Sequence, residues 1–212
     1  MTEVDEEKEL RRKLLSRIYS AKFMDRGNDK SLIPLRPSEI MESAKIDQMI
    51  AKMSADGLVK RPREGERLEI TEKGRKEIVV VMTGGSFDII HPGHVETLES
   101  ARLLGDVLIV SVARNPTFIK NKKRPPLHDE KLRKRLVESL RCVDAAILGS
   151  ENDIYETVEL LEPDLIALGY DQAHNEESMK LELKRRGLKS KIVRLESTVP
   201  DIKSSNIMRE FY

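Results

Sequence analysis

One stretch decides the fold of most of this chain: Ile78-Val79-Val80-Val81-Met82-Thr83-Gly84-Gly85-Ser86-Phe87-Asp88-Ile89-Ile90-His91-Pro92-Gly93-His94. It begins with an apolar, largely β-branched run, continues through a glycine-rich segment, and leads into an amphipathic segment at 95–104. The order strand, turn, helix puts His91 and His94 on one face of the start of a helix. A helix N-terminus offers backbone N–H groups and partial positive charge, so this turn is predicted to bind phosphate groups.

The remainder of 78–212 repeats the alternation of short apolar runs and amphipathic segments. Strands are predicted at 78–82, 107–112, 145–148, 165–168 and 191–195, and helices at 93–104, 130–142, 154–161 and 176–186. This pattern predicts an α/β domain with a doubly wound parallel sheet. Ligands of such sheets bind beyond the carboxyl ends of the strands, where the histidine-containing turn is expected to lie.

Residues 1–77 predict a separate small domain. Helices are expected at 6–24, from 37 onward and at 45–56, followed by a β-hairpin with strands at 58–61 and 67–70. Three helices and a hairpin resemble a winged helix-turn-helix, whose third helix would enter a DNA major groove. The segment carries 18 Lys plus Arg against 16 Asp plus Glu, so DNA binding and a role in dimerisation or domain packing both stay open.

Composition limits the class of protein. The 212 residues have a net charge of +1, which does not demand a nucleic acid or a membrane as partner. A single cysteine, Cys142, allows no internal disulfide and supports no cysteine-based zinc site. No apolar run approaches the roughly 20 residues of a membrane span, and no signal-peptide core begins the chain. We expect a soluble, cytoplasmic protein without a membrane partner.

The glycine-rich turn resembles the GxFDxxHxGH signature of the nucleotidyltransferases related to cytidylyltransferases. The residues in register are Gly85, Phe87, Asp88, His91, Gly93 and His94, with Ser86 and Pro92 between them. The resemblance implies catalysis by His91 and His94 on the phosphates of a nucleoside triphosphate, and binding of the nucleotide by the rest of the turn. It also implies Mg²⁺ as cofactor and a homodimer.

A basic run, 114–124, follows the second predicted strand. Lys120 and Lys122 match a KxK element of related cytidylyltransferases, which implies a grip on the triphosphate, with Lys120 catalytic. Glu130 and Arg133 resemble an ExxR element, and Arg133 is expected to reach a phosphate. A solvated basic surface is the alternative interpretation of the run.

Two further segments resemble family elements. Gly169 and Asp171 follow the fourth predicted strand, where the family has a Gly-x-Asp segment that lines the nucleoside. Near the C-terminus, 201–209 resembles the ISTSxI motif, in which hydroxyls bind the β- and γ-phosphates. There Ser204 and Ser205 match, Lys203 replaces the first serine, Thr198 stands in place of an arginine, and Arg209 is shifted by one residue. An Asp turn and simple helix capping are the corresponding structural alternatives.

The sequence indicates the type of reaction more clearly than the identity of the phosphorylated acceptor. The segments VARN, ILGS and GYDQ look most like those of archaeal FAD synthases of this fold, although Tyr170 stands where proline is expected. That resemblance implies transfer of AMP from ATP to FMN. The alternatives are a cytidylyltransferase that uses CTP and glycerol 3-phosphate, and a winged-helix regulator with a nucleotide-sensing domain.

Overall fold

The computed structural model describes residues 2–24, 43–61, 67–170, 172 and 174–196. The chain divides into two compact units, Met1–Ile78 and Val79–Tyr212. The functional assignment of the predicted domains, 1–77 and 78–212, stays a prediction. In the described part of the chain no helix is long and apolar enough to cross a membrane.

The first unit contains helices and a short β-ribbon. Its elements are α1 (Glu3–Ser20), α2 (Ser43–Ala55), β1 (Val59–Lys60), β2 (Glu69–Ile70) and α3 (Glu72–Arg75). Thr2 and Asp5 form a capping box that starts α1, and β1 pairs antiparallel with β2. Buried side chains of α1 and α2, such as Leu15 and Met53, contribute to the apolar interior of this unit. The predicted helix from residue 37 onward lies outside the described residues.

The second unit alternates strands and helices. Its elements are β3 (Val80–Gly85), α4 (Pro92–Arg102), β4 (Val107–Val112), α5 (Asn115–Lys122), α6 (Glu130–Glu138), β5 (Ala145–Leu148), α7 (Ile154–Leu161), β6 (Leu165–Leu168), α8 (Glu176–Arg185) and β7 (Lys191–Arg194). All six residues of β4 are buried, as expected for a strand covered on both faces.

The five strands form one parallel sheet in the order β5-β4-β3-β6-β7. The chain runs outward from β3 to β5 and then returns to β6 on the other side of β3. The topological switch point therefore lies between β3 and β6, and the turn after β3 lies at its carboxyl end. The predicted α/β class with a parallel sheet is confirmed.

Three aspartates fix the opposite, N-terminal edge of the sheet. The carboxylates of Asp106 and Asp164 accept hydrogen bonds from the amides of Val79 and Val80, both at 2.7 Å. Asp144 accepts from the amide of Leu108 at 2.8 Å. These bonds hold neighbouring strands in register at one edge and leave the carboxyl edge for the functional loops.

The largest difference between the second unit and the prediction lies in the basic run after β4. No helix was predicted there, but most of the run forms α5. In addition, β3 lies at Val80–Gly85 instead of 78–82, and α6 ends at Glu138 instead of 142. Pro116 suits the first turn of a helix, and the amide of Asn115 at the helix start donates to Glu130 at 2.6 Å. Glu130 therefore caps this helix from a distant position, which the local sequence does not reveal.

Candidate active site

The turn after β3 brings the two histidines together. His91 is the N-cap residue of α4, and the His91 and His94 rings stack with centroids 3.9 Å apart. Both residues are half-buried, and the Nδ1 atom of each ring is out of contact with solvent. Pro92 has no N–H, so the backbone donors of α4 begin at the buried Gly93. Two stacked imidazoles therefore lie at a helix N-terminus, an arrangement suited to phosphate.

The ring of Phe87 packs against the ring of His94. Phe87 is 4% exposed, has a left-handed backbone (φ 49°), and lies 5.2 Å from His94 between ring centroids. A Cβ atom on Gly85 would come within 2.8 Å of two Phe87 ring carbons. Gly85 is therefore required because the Phe87 ring occupies the space of a side chain. The role of both residues here is to shape the turn.

Asp88 is also buried, and it holds a distant segment. Its Oδ1 accepts from the amide of Leu127 at 2.7 Å, and its Oδ2 lies 2.8 Å from an Arg124 guanidinium nitrogen. Only 3% of the Asp88 side chain is exposed. The carboxylate therefore attaches the segment after α5 to the histidine turn, and both of its oxygens face protein groups.

Arg133 lies underneath the turn instead of facing a ligand. It is 1% exposed, and its guanidinium donates to the carbonyls of Ser86 and His128 and to Oδ1 of Asn115. Burial lowers the pKa of Arg133, while the charge of Asp88 and of two further carboxylates opposes that effect. Each guanidinium nitrogen already has a protein acceptor, so the geometry favours positioning over the predicted phosphate contact.

A second arginine joins three neighbouring segments. Arg114, after β4, donates through Nε to the carbonyl of Gly149 at 2.9 Å and through Nη1 to Glu130 at 3.2 Å. The ends of β4 and β5 and the start of α6 are thereby held together. Glu130, matched to the ExxR element, consequently has a structural role in capping α5 and pairing with Arg114.

Lys120 and Lys122 lie in the last turn of α5, and both are exposed. Residues two apart in a helix begin on opposite sides of it, and the predicted joint grip of the two lysines on a triphosphate stays a prediction. Lys122 is four residues beyond the buried Phe118 and shares its face, whereas Lys120 points away. The guanidiniums of Arg124 and Arg133 contact the Phe118 ring and also bond to Asp88 and to the Ser86 carbonyl. The face of α5 that Lys122 shares with Phe118 is therefore linked to the histidine turn.

The loop after β6 forms the other side of the switch point. The Gln172 side chain donates to the carbonyl of Gly84 at 2.7 Å, which joins this loop to the end of β3. Arg194 at the end of β7 donates to the carbonyls of Gly169 and Gln172 at 3.0 and 3.1 Å. Gly169 thus lies in a loop that is attached to both neighbouring strands, and its predicted contact with the nucleoside stays a prediction.

Several predicted site residues lie outside the described residues: Asp171, Thr198, Ser204, Ser205 and Arg209. Their predicted roles stay predictions. Sequence reasoning assigned no role to Gln172 or Arg194, although both act at the carboxyl edge. Their positions after β6 and at the end of β7 were the available signal, because that edge of a parallel sheet carries the ligand.

A solvent-open groove of about 490 Å³ adjoins His91 along α4. It is lined by Ile90, His91, Pro92, Val95, Glu96 and Glu99. The two glutamates would repel a triphosphate, so the phosphates are expected at the strand ends and not in this groove. Among the described residues no group of three or more His, Cys, Asp or Glu side chains is arranged to hold a metal ion.

Comparison with known proteins agrees with this geometry. Residues 82–210 match the family described as cytidylyltransferase-like. The chain is 51% identical over 115 residues to an FAD synthase of Ferroglobus placidus, covering 54% of this chain and 74% of that protein. It is 45% identical over 133 residues to an FAD synthase of Thermoplasma acidophilum, covering 63% and 93%.

A solved structure provides a third comparison. The crystal structure of the lipopolysaccharide core biosynthesis protein from Thermoplasma volcanium is 42% identical and has a TM-score of 0.55, covering 57% of this chain and 98% of that one. The family match spans more than half of the chain and includes the strand, turn and helix that carry the histidines. The chain therefore belongs to the cytidylyltransferase-like family and is a nucleotidyltransferase.

Proposed function

We propose that this protein is an FAD synthase, which transfers AMP from ATP to FMN and releases pyrophosphate. The observation that carries the proposal is the 45–51% identity to archaeal proteins named FAD synthase. The stacked histidines at the start of α4 support the proposal, because imidazoles at a helix N-terminus suit the binding of phosphate groups.

The reaction requires stabilisation of charge and no covalent protein intermediate. An FMN phosphate oxygen forms a bond to the α-phosphorus of ATP, and the bond from that phosphorus to the pyrophosphate oxygen breaks. Negative charge accumulates on the phosphate oxygens during this exchange, and fixed donors lower its energy. In the proposal, His91 and His94 donate hydrogen bonds to these oxygens, and the Gly93 backbone at the start of α4 adds to them.

The remaining binding roles follow from charge and position. Lys122, with Lys120 at the end of the same helix, supplies positive charge for the leaving pyrophosphate. Asp171 near the nucleoside, and Thr198, Ser204, Ser205 and Arg209 near the β- and γ-phosphates, keep the roles that the family resemblance implies. We infer that Mg²⁺ enters with the triphosphate and neutralises part of its charge, since Mg²⁺ is commonly bound through substrate phosphates with few protein ligands.

The proposal is tested by offering two donors and two acceptors. Purified protein with Mg²⁺ receives ATP or CTP, each with FMN or glycerol 3-phosphate, and product mass and pyrophosphate are recorded. We expect FAD and pyrophosphate from ATP and FMN only. CDP-glycerol from CTP and glycerol 3-phosphate would replace the proposal with a cytidylyltransferase. No product in any of the four mixtures would contradict both activities.

We infer that the N-terminal unit is a winged helix-turn-helix. The order of α1 and α2 before the β1–β2 ribbon supports this fold. Lys52 of α2 pairs with Glu7, and Lys60 pairs with Glu69, so charges that could contact DNA phosphates are already partly neutralised. This favours dimerisation or packing over DNA binding. Retardation of random duplex in a low-salt gel shift would contradict that preference.

A further inference from the structure

The described residues of the loop after β6, 169–170, 172 and 174, lie at the carboxyl edge of the sheet. Strand β6 pairs with β3 in parallel register, with Thr83 opposite Ala167. The two strands flank the switch point, so a ligand in the crevice is bounded by the loop after β3 on one side and by this loop on the other. The conformation of the loop after β6 therefore bears on the shape of such a crevice.

Arg194 determines that conformation through a single guanidinium. Besides the carbonyls of Gly169 and Gln172, it donates to the carbonyl of His174 at 2.8 Å. Its Nε lies 2.7 Å from Glu176 at the start of α8. All three nitrogens are thus engaged with protein oxygens, and Arg194 acts on a ligand only through the loop that it holds.

Gln172 transmits the constraint to β3. Its backbone N–H donates to the carbonyl of Gly169 at 3.2 Å, and its side-chain Nε2 donates to the carbonyl of Gly84 at 2.7 Å. Gly84 immediately precedes the glycine on which the Phe87 ring rests. A chain of hydrogen bonds therefore runs from the end of β7, through the loop, to the base of the histidine turn.

We propose that Arg194 is a positioning residue that, through Gln172, holds the crevice between β6 and β3 in the shape that binds the nucleoside triphosphate. The inference rests on the proposed function for the identity of the ligand. An arginine suits this role because its planar fork can bond several carbonyls at once, whereas a lysine is a point charge and can satisfy only part of the set.

The test compares three substitutions in the full-length protein. Arg194→Met removes all the donors, Arg194→Lys retains the charge, and Arg186→Met removes an arginine of similar connectivity at the other end of α8. The readouts are Kd for ATP and for CTP without acceptor, and kcat and KM with FMN. Arg194→Met should raise Kd and KM for ATP about tenfold while KM for FMN changes less than about threefold. Arg194→Lys should be intermediate, and Arg186→Met should stay within about twofold of wild type.

A double-mutant cycle tests the route through Gln172. Gln172→Leu should itself raise Kd for ATP, and adding it to Arg194→Met should raise Kd little further, because both changes release the same loop. Effects that multiply would overturn the route, and a wild-type Kd in either single variant would overturn the proposal. Nucleotide binding without FAD formation by the wild-type protein would refute the proposed function alone, since Kd still reports on Arg194.

Discussion

Replacing Arg133 by methionine tests whether this buried arginine holds the histidine turn. Methionine keeps the apolar stem and its contact with Phe118, but it removes the donors to Ser86, Asn115 and His128. Each acceptor left without a donor costs about 1–3 kcal/mol, and water can reach some of these part-buried sites. A total near the low end, about 3 kcal/mol, is therefore expected.

Urea unfolding followed by circular dichroism measures that cost. With a denaturant slope of about 2 kcal/mol per molar, a loss of 3 kcal/mol lowers the midpoint by about 1.5 M. Because the Ser86 carbonyl belongs to the histidine turn, kcat for FAD formation should also fall by about tenfold or more. Arg135→Met, an exposed change on the same helix, is the matched control.

An Arg133→Met variant that unfolds within about 0.5 kcal/mol of wild type, the usual range for a surface change, would show that the buried guanidinium does not hold the turn. A stability loss with an unchanged kcat would refute the narrower claim that Arg133 positions the turn. The predicted phosphate contact would instead raise KM for ATP while leaving the midpoint of unfolding unchanged.

Three further changes test other parts of the account. Gly85→Ala places a Cβ within 2.8 Å of the Phe87 ring and should destabilise the protein by about 1–3 kcal/mol and lower kcat; Gly84→Ala, with its nearest atom at 3.4 Å, should cost less in urea unfolding. In steady-state assays of FAD formation, Lys122→Ala should raise KM for ATP more than Lys120→Ala does, because only Lys122 shares the helix face of Phe118. Hydrogen bonds from Arg185 and then Arg186 lower the pKa of Glu182 from 4.5 to about 2, so Glu182→Gln should lower Tm at pH 7 and progressively less as the pH falls below about 4.5.

Each of these three predictions would be contradicted by a specific result. Equal costs for Gly84→Ala and Gly85→Ala would show that the Phe87 ring moves freely. A larger effect at Lys120 would mean that α5 presents its other face to the nucleotide. For Glu182, a lowered folded-state pKa stabilises the folded state fully above pH 4.5 and not below about 2. A Tm difference that grows on acidification would therefore contradict the assignment.

Much of the sheet could be predicted because its strands are short apolar runs between clear turns. The strands at 107–112, 145–148 and 165–168 have the predicted bounds, since buried parallel strands leave a continuous apolar signal. Helix α4 was also predictable, because Pro92 suits the first position of a helix and follows the glycine-rich turn. What these elements share is that local sequence alone determines them.

The parts that sequence reasoning missed depend on distant partners. The start of helix α5 is capped by Glu130, which lies eight residues beyond the end of that helix. Because the capping group is distant in sequence, the basic run itself gave no sign of a helix start. Arg133 matched a family element, but its burial depends on acceptors from three separate segments: the carbonyls of Ser86 and His128 and the Asn115 side chain. Arg194 and Gln172 gained a role only when the strand order brought β7, β6 and β3 side by side.

The most direct test of the central claim follows the α-phosphorus of ATP. Protein is incubated with Mg²⁺, FMN and ATP labelled at the α-phosphate, and the label is located in separated products. We expect label in FAD, unlabelled pyrophosphate, and a loss of FAD labelling of at least about 100-fold in folded His91→Ala and His94→Ala variants. Label absent from FAD with the wild-type protein, or incorporated equally by the histidine variants, would contradict transfer of AMP at the paired histidines.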